Sequence, residues 1–148
     1  MTQRKYYRQI IVRYITIAPE QREEDEENTE IEYIYQCLGL GDEKDDLGRE
    51  VFKALIRAGR KGEGISSRDI MQLSEVSQAA VIYHLNMFQR SGIVIKDGRN
   101  YFLRGQTLEQ TLEEIENDMH RRFDQIKQIA KRVDERGKEK NKRKNQNE

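Results

Sequence analysis

Between Ser77 and Arg90 the chain carries an unusual sequence of side chains for one short helix: Ser77, Gln78, Ala79, Ile82, Tyr83, Asn86 and Arg90 fall away from the stripe made by Val81, Leu85 and Phe88. At 100° per residue, a helix that buries Val81, Leu85 and Phe88 places Ala79, Tyr83, Asn86 and Arg90 nearly opposite, with Ile82 on one flank. The outward set is not metal-binding or nucleophilic. Apart from Arg90 it consists of amide, hydroxyl and methyl groups, which match the donors, acceptors and thymine methyl of base edges in a major groove. Gln78 and Asn86 donate and accept, Ala79 permits close approach, and Ile82 suits a methyl. Tyr83 offers a phosphate its hydroxyl and a sugar its ring. Ser77 and the free amides of the first turn suit a phosphate oxygen. The competing reading has Ile82 and Tyr83 packed against a hairpin expected at the N-terminus, which would bury both faces of the helix.

Two cations follow at a second location. "IVIKDGRNYFL" (93–103) reads as a hairpin, with Asp97-Gly98 supplying the positive φ angles of a tight turn between Ile93–Ile95 and Tyr101–Leu103. Lys96 and Arg99 cluster at its tip, suited to a phosphate backbone or a minor groove. Arg68 adds a further phosphate contact or is a solvated surface arginine.

The elements that must hold these groups are readable in order. "LGREVFKALIRAG" (47–59) puts Leu47, Val51, Leu55 and Ala58 on one helical face, with Phe52 and Ile56 at its edge, and stops at Gly59. "RKGEG" (60–64) is a loop. Ser66 with Asp69 is a capping box that opens a brief helix carrying Ile70, Met71 and Leu73. Residues 74–77 form a turn, Ser77 caps the next helix, and Gly92 stops it. Helix, short helix, tight turn, helix and hairpin in that sequence is a helix-turn-helix extended by a β wing.

"GISSRDIMQLSEVSQAAVIYHLNMFQRSGIVIKDGRNYFL" resembles the winged helix-turn-helix of ArsR-like bacterial and archaeal transcriptional regulators. The resemblance is carried by Ser77-Gln78, by Val81 with His84-Leu85, by Ser91-Gly92-Ile93-Val94, and by Asp97-Gly98-Arg99 followed by Tyr101 and Leu103. It covers about 40 residues, or roughly 60 with the preceding helix, at the level of a superfamily pattern. It implies that positions 78, 79, 82 and 83 enter the major groove. Some ArsR-like proteins bind metal through cysteine pairs, or through Asp-x-His with a later histidine. Cys37 is the only cysteine, and although Asp118-Met119-His120 matches the start of the second pattern, Lys131 and Asp134 stand where the later ligands would be. No metal, cofactor or catalytic site is therefore expected, and His84 is expected to be a packed, hydrogen-bonded core residue.

The remainder of the chain is read from pattern alone. After Arg104-Gly105, Thr107 and Gln110 open a long helix with apolar positions Leu108, Leu112, Ile115, Met119, Phe123, Ile126, Ala130 and Val133. The steps of 4, 3, 4, 4, 3, 4, 3 are a coiled-coil stripe with a stutter at Met119–Phe123, expected to pair two copies of the chain. "YYRQIIVRYITI" (6–17) and "EIEYIYQCL" (30–38) read as strands of an N-terminal hairpin. The first also keeps helical spacing through Tyr6, Ile10, Tyr14 and Ile17. The acidic stretch 19–30 reads as a solvated connection or a docking site for a basic protein partner.

Composition bounds the rest. The 148 residues are 36% charged and sum to zero, but the zero is a cancellation. Residues 1–17 hold four basic and no acidic groups, and 18–50 hold thirteen acidic against three basic. Residues 51–104 hold nine basic against four acidic, 105–120 five acidic alone, and 121–148 eleven basic against five acidic. One cysteine permits no internal disulfide, and no stretch approaches a membrane span. The expectation is a mainly α, α+β cytoplasmic chain. It has an N-terminal hairpin (1–40), a DNA-binding domain (47–104), a dimerisation helix (107–137) and a disordered basic tail (138–148). Its partners would be double-stranded DNA and a second copy of itself. The alternatives are a winged-helix protein-interaction module and a nonspecific architectural DNA binder.

Overall fold

The computed structural model describes residues 26–41 and 44–147. The elements are α1 (Glu26–Cys37), α2 (Asp46–Arg60), β1 (Ile65–Ser66), α3 (Ser67–Ser74), α4 (Gln78–Arg90), β2 (Val94–Asp97), β3 (Asn100–Leu103) and α5 (Leu108–Gln146). The chain divides into two units, one up to Leu112 and one from Glu113 onward.

In the first unit, three aromatic rings meet at the centre. Tyr35 of α1, Phe52 of α2 and Phe88 of α4 are fully buried, with ring centroids 5.5 to 6.2 Å apart in tilted and edge-on contacts. Val51, Leu55, Ile70, Val81, Leu85 and Ile93 close around them. The three long helices among the described residues of the unit thus share one apolar centre, which fixes α4 by its inner face alone.

The strand expected at 30–38 is helical. The alternation of Ile31, Tyr33, Tyr35 and Cys37 is real, but Ile31, Tyr35 and Leu38 also lie at i, i+4 and i+7, and these are the three that are buried. A helix delivers all of them to one core, whereas a strand would have sent Leu38 to the opposite face from Ile31 and Tyr35. Acidic residues 26–30, expected as part of a loop, form its first turn, where the amide dipoles favour negative charge. The stretch 6–17 and the acidic residues before Glu26 lie outside the described residues. Glu32 accepts from the buried Lys53 ammonium at 3.4 Å, and Glu27 pairs with Arg60, tying α1 to α2.

The capping signals hold in detail. Ser66 Oγ accepts from the Asp69 amide at 3.1 Å, and Asp69 Oδ2 accepts from the Ser66 amide at 3.3 Å. Ser77 Oγ accepts from the Ala80 amide at 3.2 Å to start α4, and Gly92 ends it at φ +79°. Thr107 Oγ1 accepts from the Gln110 amide at the start of α5.

The sheet has three antiparallel strands in the order β1-β3-β2. β1 was not apparent in the sequence: it is two residues long, and Ile65 pairs with Tyr101 across a sequence distance that no local pattern reveals. The β2–β3 turn is centred one residue later than Asp97-Gly98. Asp97 pairs with Asn100, leaving Gly98-Arg99 as the two-residue loop, with Gly98 at φ +61°. Glycine at the first central position is the signature of a type II′ turn. A Cβ at Gly98 meets nothing within 4 Å, so the cost of Gly98→Ala is conformational only. It should lower stability by about 1 kcal/mol in urea unfolding, because alanine resists positive φ.

Helix α5 runs unbroken to Gln146, through the tail expected to be disordered. Residues 138–146 hold no proline and no β-branched residue, and lysine, arginine, glutamate and glutamine are good helix formers. At 1.5 Å per residue its 39 residues extend about 58 Å. The eight-residue stripe divides along it. Ile115 is buried and Leu108, Leu112 and Met119 are half-buried, whereas Phe123, Ile126 and Val133 are 55 to 57% exposed. Ile129, outside the stripe as read from sequence, is equally exposed.

Candidate nucleic-acid interface

Helix α4 presents the two faces its spacing required. Val81, Leu85 and Phe88 have no exposed surface, and Ala79, Tyr83, Asn86 and Arg90 are exposed on the far side. Tyr83 stands out at 63% exposure, its ring edge against His84 at 5.3 Å. Ile82 is half-buried at the margin of that face. None of the described residues covers Tyr83.

The first turn carries Ser77 and Gln78, both exposed. The Gln78 amide nitrogen donates to Ser67 Oγ at 3.2 Å, joining the start of α4 to the start of α3. That bond uses one of its two donor hydrogens and leaves the carbonyl oxygen to accept. Arg68 is the next residue on α3 and is exposed.

Lys96 and Arg99 sit on the hairpin rather than on α4. The hairpin is joined to the end of α4 by backbone hydrogen bonds: the Ile93 amide donates to Phe88 O at 3.1 Å, and the Arg104 amide to Ile93 O at 2.9 Å. Lys96 holds its ammonium 5.4 Å from the Tyr101 ring centroid, a cation–π contact that restrains the long side chain, while Arg99 occupies the turn itself. The site residues therefore form two main groups on connected elements, a helix face whose single charge is Arg90 and a cationic hairpin, with Arg68 apart on α3.

Behind the helix face lies a polar network that the sequence reading missed. Asp45 caps α2, its Oδ1 accepting from the Gly48 amide at 3.1 Å, and its Oδ2 accepts from the Tyr35 hydroxyl at 2.6 Å. His84 Nε2 lies 3.6 Å from Asp45 Oδ1, and the ring is 12% exposed. His84 is packed as expected, but its Nδ1 is buried without a hydrogen bond. The network joins α1, the start of α2 and the middle of α4 through one carboxylate. Gly48 is required beside it, since a Cβ there would overlap the Tyr35 hydroxyl and the Asp45 carboxylate. The one available signal was Asp45 as a cap; the partners 10 and 39 residues away carried none.

Among the described residues, no group of three His, Cys, Asp or Glu side chains could hold a metal ion. The Asp118 carboxylate of the Asp118-Met119-His120 motif is bonded to Arg121 instead. Cys37 is half-buried on α1, and its hydrogen bond to Tyr33 raises that phenol's pKa. No helix of the described residues is long and apolar enough to cross a membrane. No known family model, curated protein or solved structure matches the chain.

Proposed function

We propose that this chain is a winged-helix DNA-binding transcriptional regulator, reading duplex DNA with α4 and a β wing and acting as a homodimer through α5. The observation that carries the reading is the exposed outer face of α4. A helix whose inner face is fully buried displays Ala79, Tyr83 and Asn86 to solvent, with a cationic hairpin fastened to its end. Ser77, Gln78, Ala79, Ile82, Tyr83 and Asn86 would meet base edges and the adjoining phosphates, and Lys96, Arg99 and Arg68 the backbone. The exposed part of the α5 stripe, Phe123, Ile126, Ala130 and Val133, would supply the dimer contact.

Selecting bound sequences from a random duplex pool tests the reading. A dimer should enrich a two-fold repeated site, with affinity falling steeply as salt rises. Ile82→Ala and Tyr83→Ala should each reduce discrimination between the selected site and random DNA by roughly ten- to hundredfold, with nonspecific affinity unchanged for Ile82→Ala and lowered by a smaller factor for Tyr83→Ala, which also loses its phosphate contact. Equal loss on both DNAs would remove these residues from the reading role.

A second reading, a winged-helix module that docks a protein, is favoured by exposed apolar side chains. Leu73 of α3 is 74% exposed and Ile95 of β2 is 47% exposed, and the outer face of α4 carries a single charge, Arg90. Surface apolar groups of this kind suit a protein partner better than a phosphate backbone. Absence of binding to random duplex even at low salt would select this reading.

A further inference from the structure

We infer that two copies of α5 pair antiparallel, with the mirror point of the pair near Gln128. This deepens the dimer reading above and rests on it only for what the paired helices carry. The first observation is the exposed stripe: Phe123, Ile126, Ile129 and Val133 are each more than half exposed, with Ala130 beside them. A row of this size along one helix face requires a partner. The second is the charge distribution. Residues 108–118 contain Glu109, Glu113, Glu114, Glu116 and Asp118 with no basic residue, and 138–144 contain Lys138, Lys140, Lys142, Arg143 and Lys144 against Glu139 alone. The helix is acidic at one end and basic at the other.

These two features are independent, and they share one centre. Folding the helix back on a copy about Gln128 sets Phe123 level with Val133 and Ile126 level with Ala130, a large side chain against a smaller one in both layers, with Ile129 at the edge of the row level with Lys127. The same fold sets Glu113 level with Arg143, Glu116 with Lys140 and Asp118 with Lys138. A parallel pair in register would instead set each basic end against its own copy and each acidic end likewise. Opposite charges flanking an apolar seam fix the direction of helix pairing, and like charges exclude the alternative. Ile115 is buried and Leu108, Leu112 and Met119 are half-buried within the chain, and the same fold sets no apolar side chain against them: Lys144 falls level with Leu112, Asn141 with Ile115 and Gly137 with Met119. The partner is thus a second copy of this chain, related by a two-fold axis across the helices. The two copies of Leu108 would stand about 60 Å apart, well beyond the roughly 34 Å between half-sites one DNA turn apart.

Spin labels on the full chain test the direction. In a Cys37→Ser background, single labels are placed at Lys142→Cys or Gln128→Cys, both on the face away from the stripe. Antiparallel pairing predicts about 40–50 Å between Lys142→Cys labels, from 1.5 Å per residue, and about 20–30 Å between Gln128→Cys labels. Distances near 20–30 Å at both positions mean a parallel pair and overturn the inference. A monomeric mass with no distance at Gln128→Cys overturns it as well. Duplex binding is scored on the same samples. Loss of DNA binding with both distances as expected leaves the pairing standing and overturns the regulator reading. Retained binding with the wrong distances does the reverse.

Discussion

Lys96→Ala combined with Arg99→Ala is expected to weaken binding to every duplex alike, by on the order of fiftyfold at 0.1 M salt. The estimate follows from counterion release: each phosphate neutralised contributes about −0.9 to the slope of log affinity against log salt, so two lost contacts lower the slope by about 1.8. Both side chains are exposed on the hairpin, and Gly98 rather than either cation sets the turn, so folding should be unaffected. The Lys96 contact to Tyr101 adds a distinction between the two. Its ammonium is held before DNA arrives, so less side-chain freedom is lost on binding, and the single variant Lys96→Ala should account for more of the loss than Arg99→Ala. Binding isotherms on the selected site and on random duplex at several salt concentrations check all of this. A loss confined to the selected site would place the hairpin in base recognition. An unchanged slope would take it off the DNA.

The parts of this fold legible in the sequence are those determined within a few residues of themselves. Ser66 with Asp69, Ser77, Gly92 and Thr107 mark helix ends by bonds spanning three residues, and they fall where the pattern put them. The inner and outer faces of α4 followed from rotation alone. What sequence periodicity could not decide was 30–38, where a period of two and a helical period coexist and the choice is made by Phe52 and Phe88, 17 and 53 residues from Tyr35. The same limit hid β1, whose partner strand lies 35 residues on, and the Tyr35–Asp45–His84 network. The turn at Gly98 was misplaced by one residue because Asp-Gly also suits a type I′ loop, and only the pairing of Asp97 with Asn100 separates the two. For the tail, composition signalled solvation, which is correct, but solvation and helix are compatible when the residues are long, flexible and charged.

Phe88→Ala should be the most damaging single change to the first unit, lowering its stability by about 3–5 kcal/mol through the cavity and the lost contact surface. Phe88 has no exposed surface and is the contribution of α4 to the central aromatic group, edge-on to Tyr35 at 6.2 Å and to Phe52 at 6.0 Å, with the His84 ring at 6.4 Å. Those ring contacts add about 0.5–1.5 kcal/mol each beyond area burial, so the loss should lie toward the upper end of the range. Because Phe88 O also accepts the Ile93 amide that begins the hairpin, disorder at this position would reach both halves of the candidate interface. Tyr83→Ala is the matched control, five residues earlier on the same helix but 63% exposed, and should change stability by less than about 0.5 kcal/mol. Urea unfolding of the two variants beside duplex binding then separates holding the helix from meeting DNA. Phe88→Ala should lose stability first and binding as a consequence, with binding recovered at low temperature wherever the folded population recovers. Tyr83→Ala should lose discrimination with its unfolding midpoint unmoved. If Phe88→Ala left stability within 1 kcal/mol of the parent, the three aromatic rings would not be the centre that fixes α4, and the division of this helix into a held face and a presented face would fail with them.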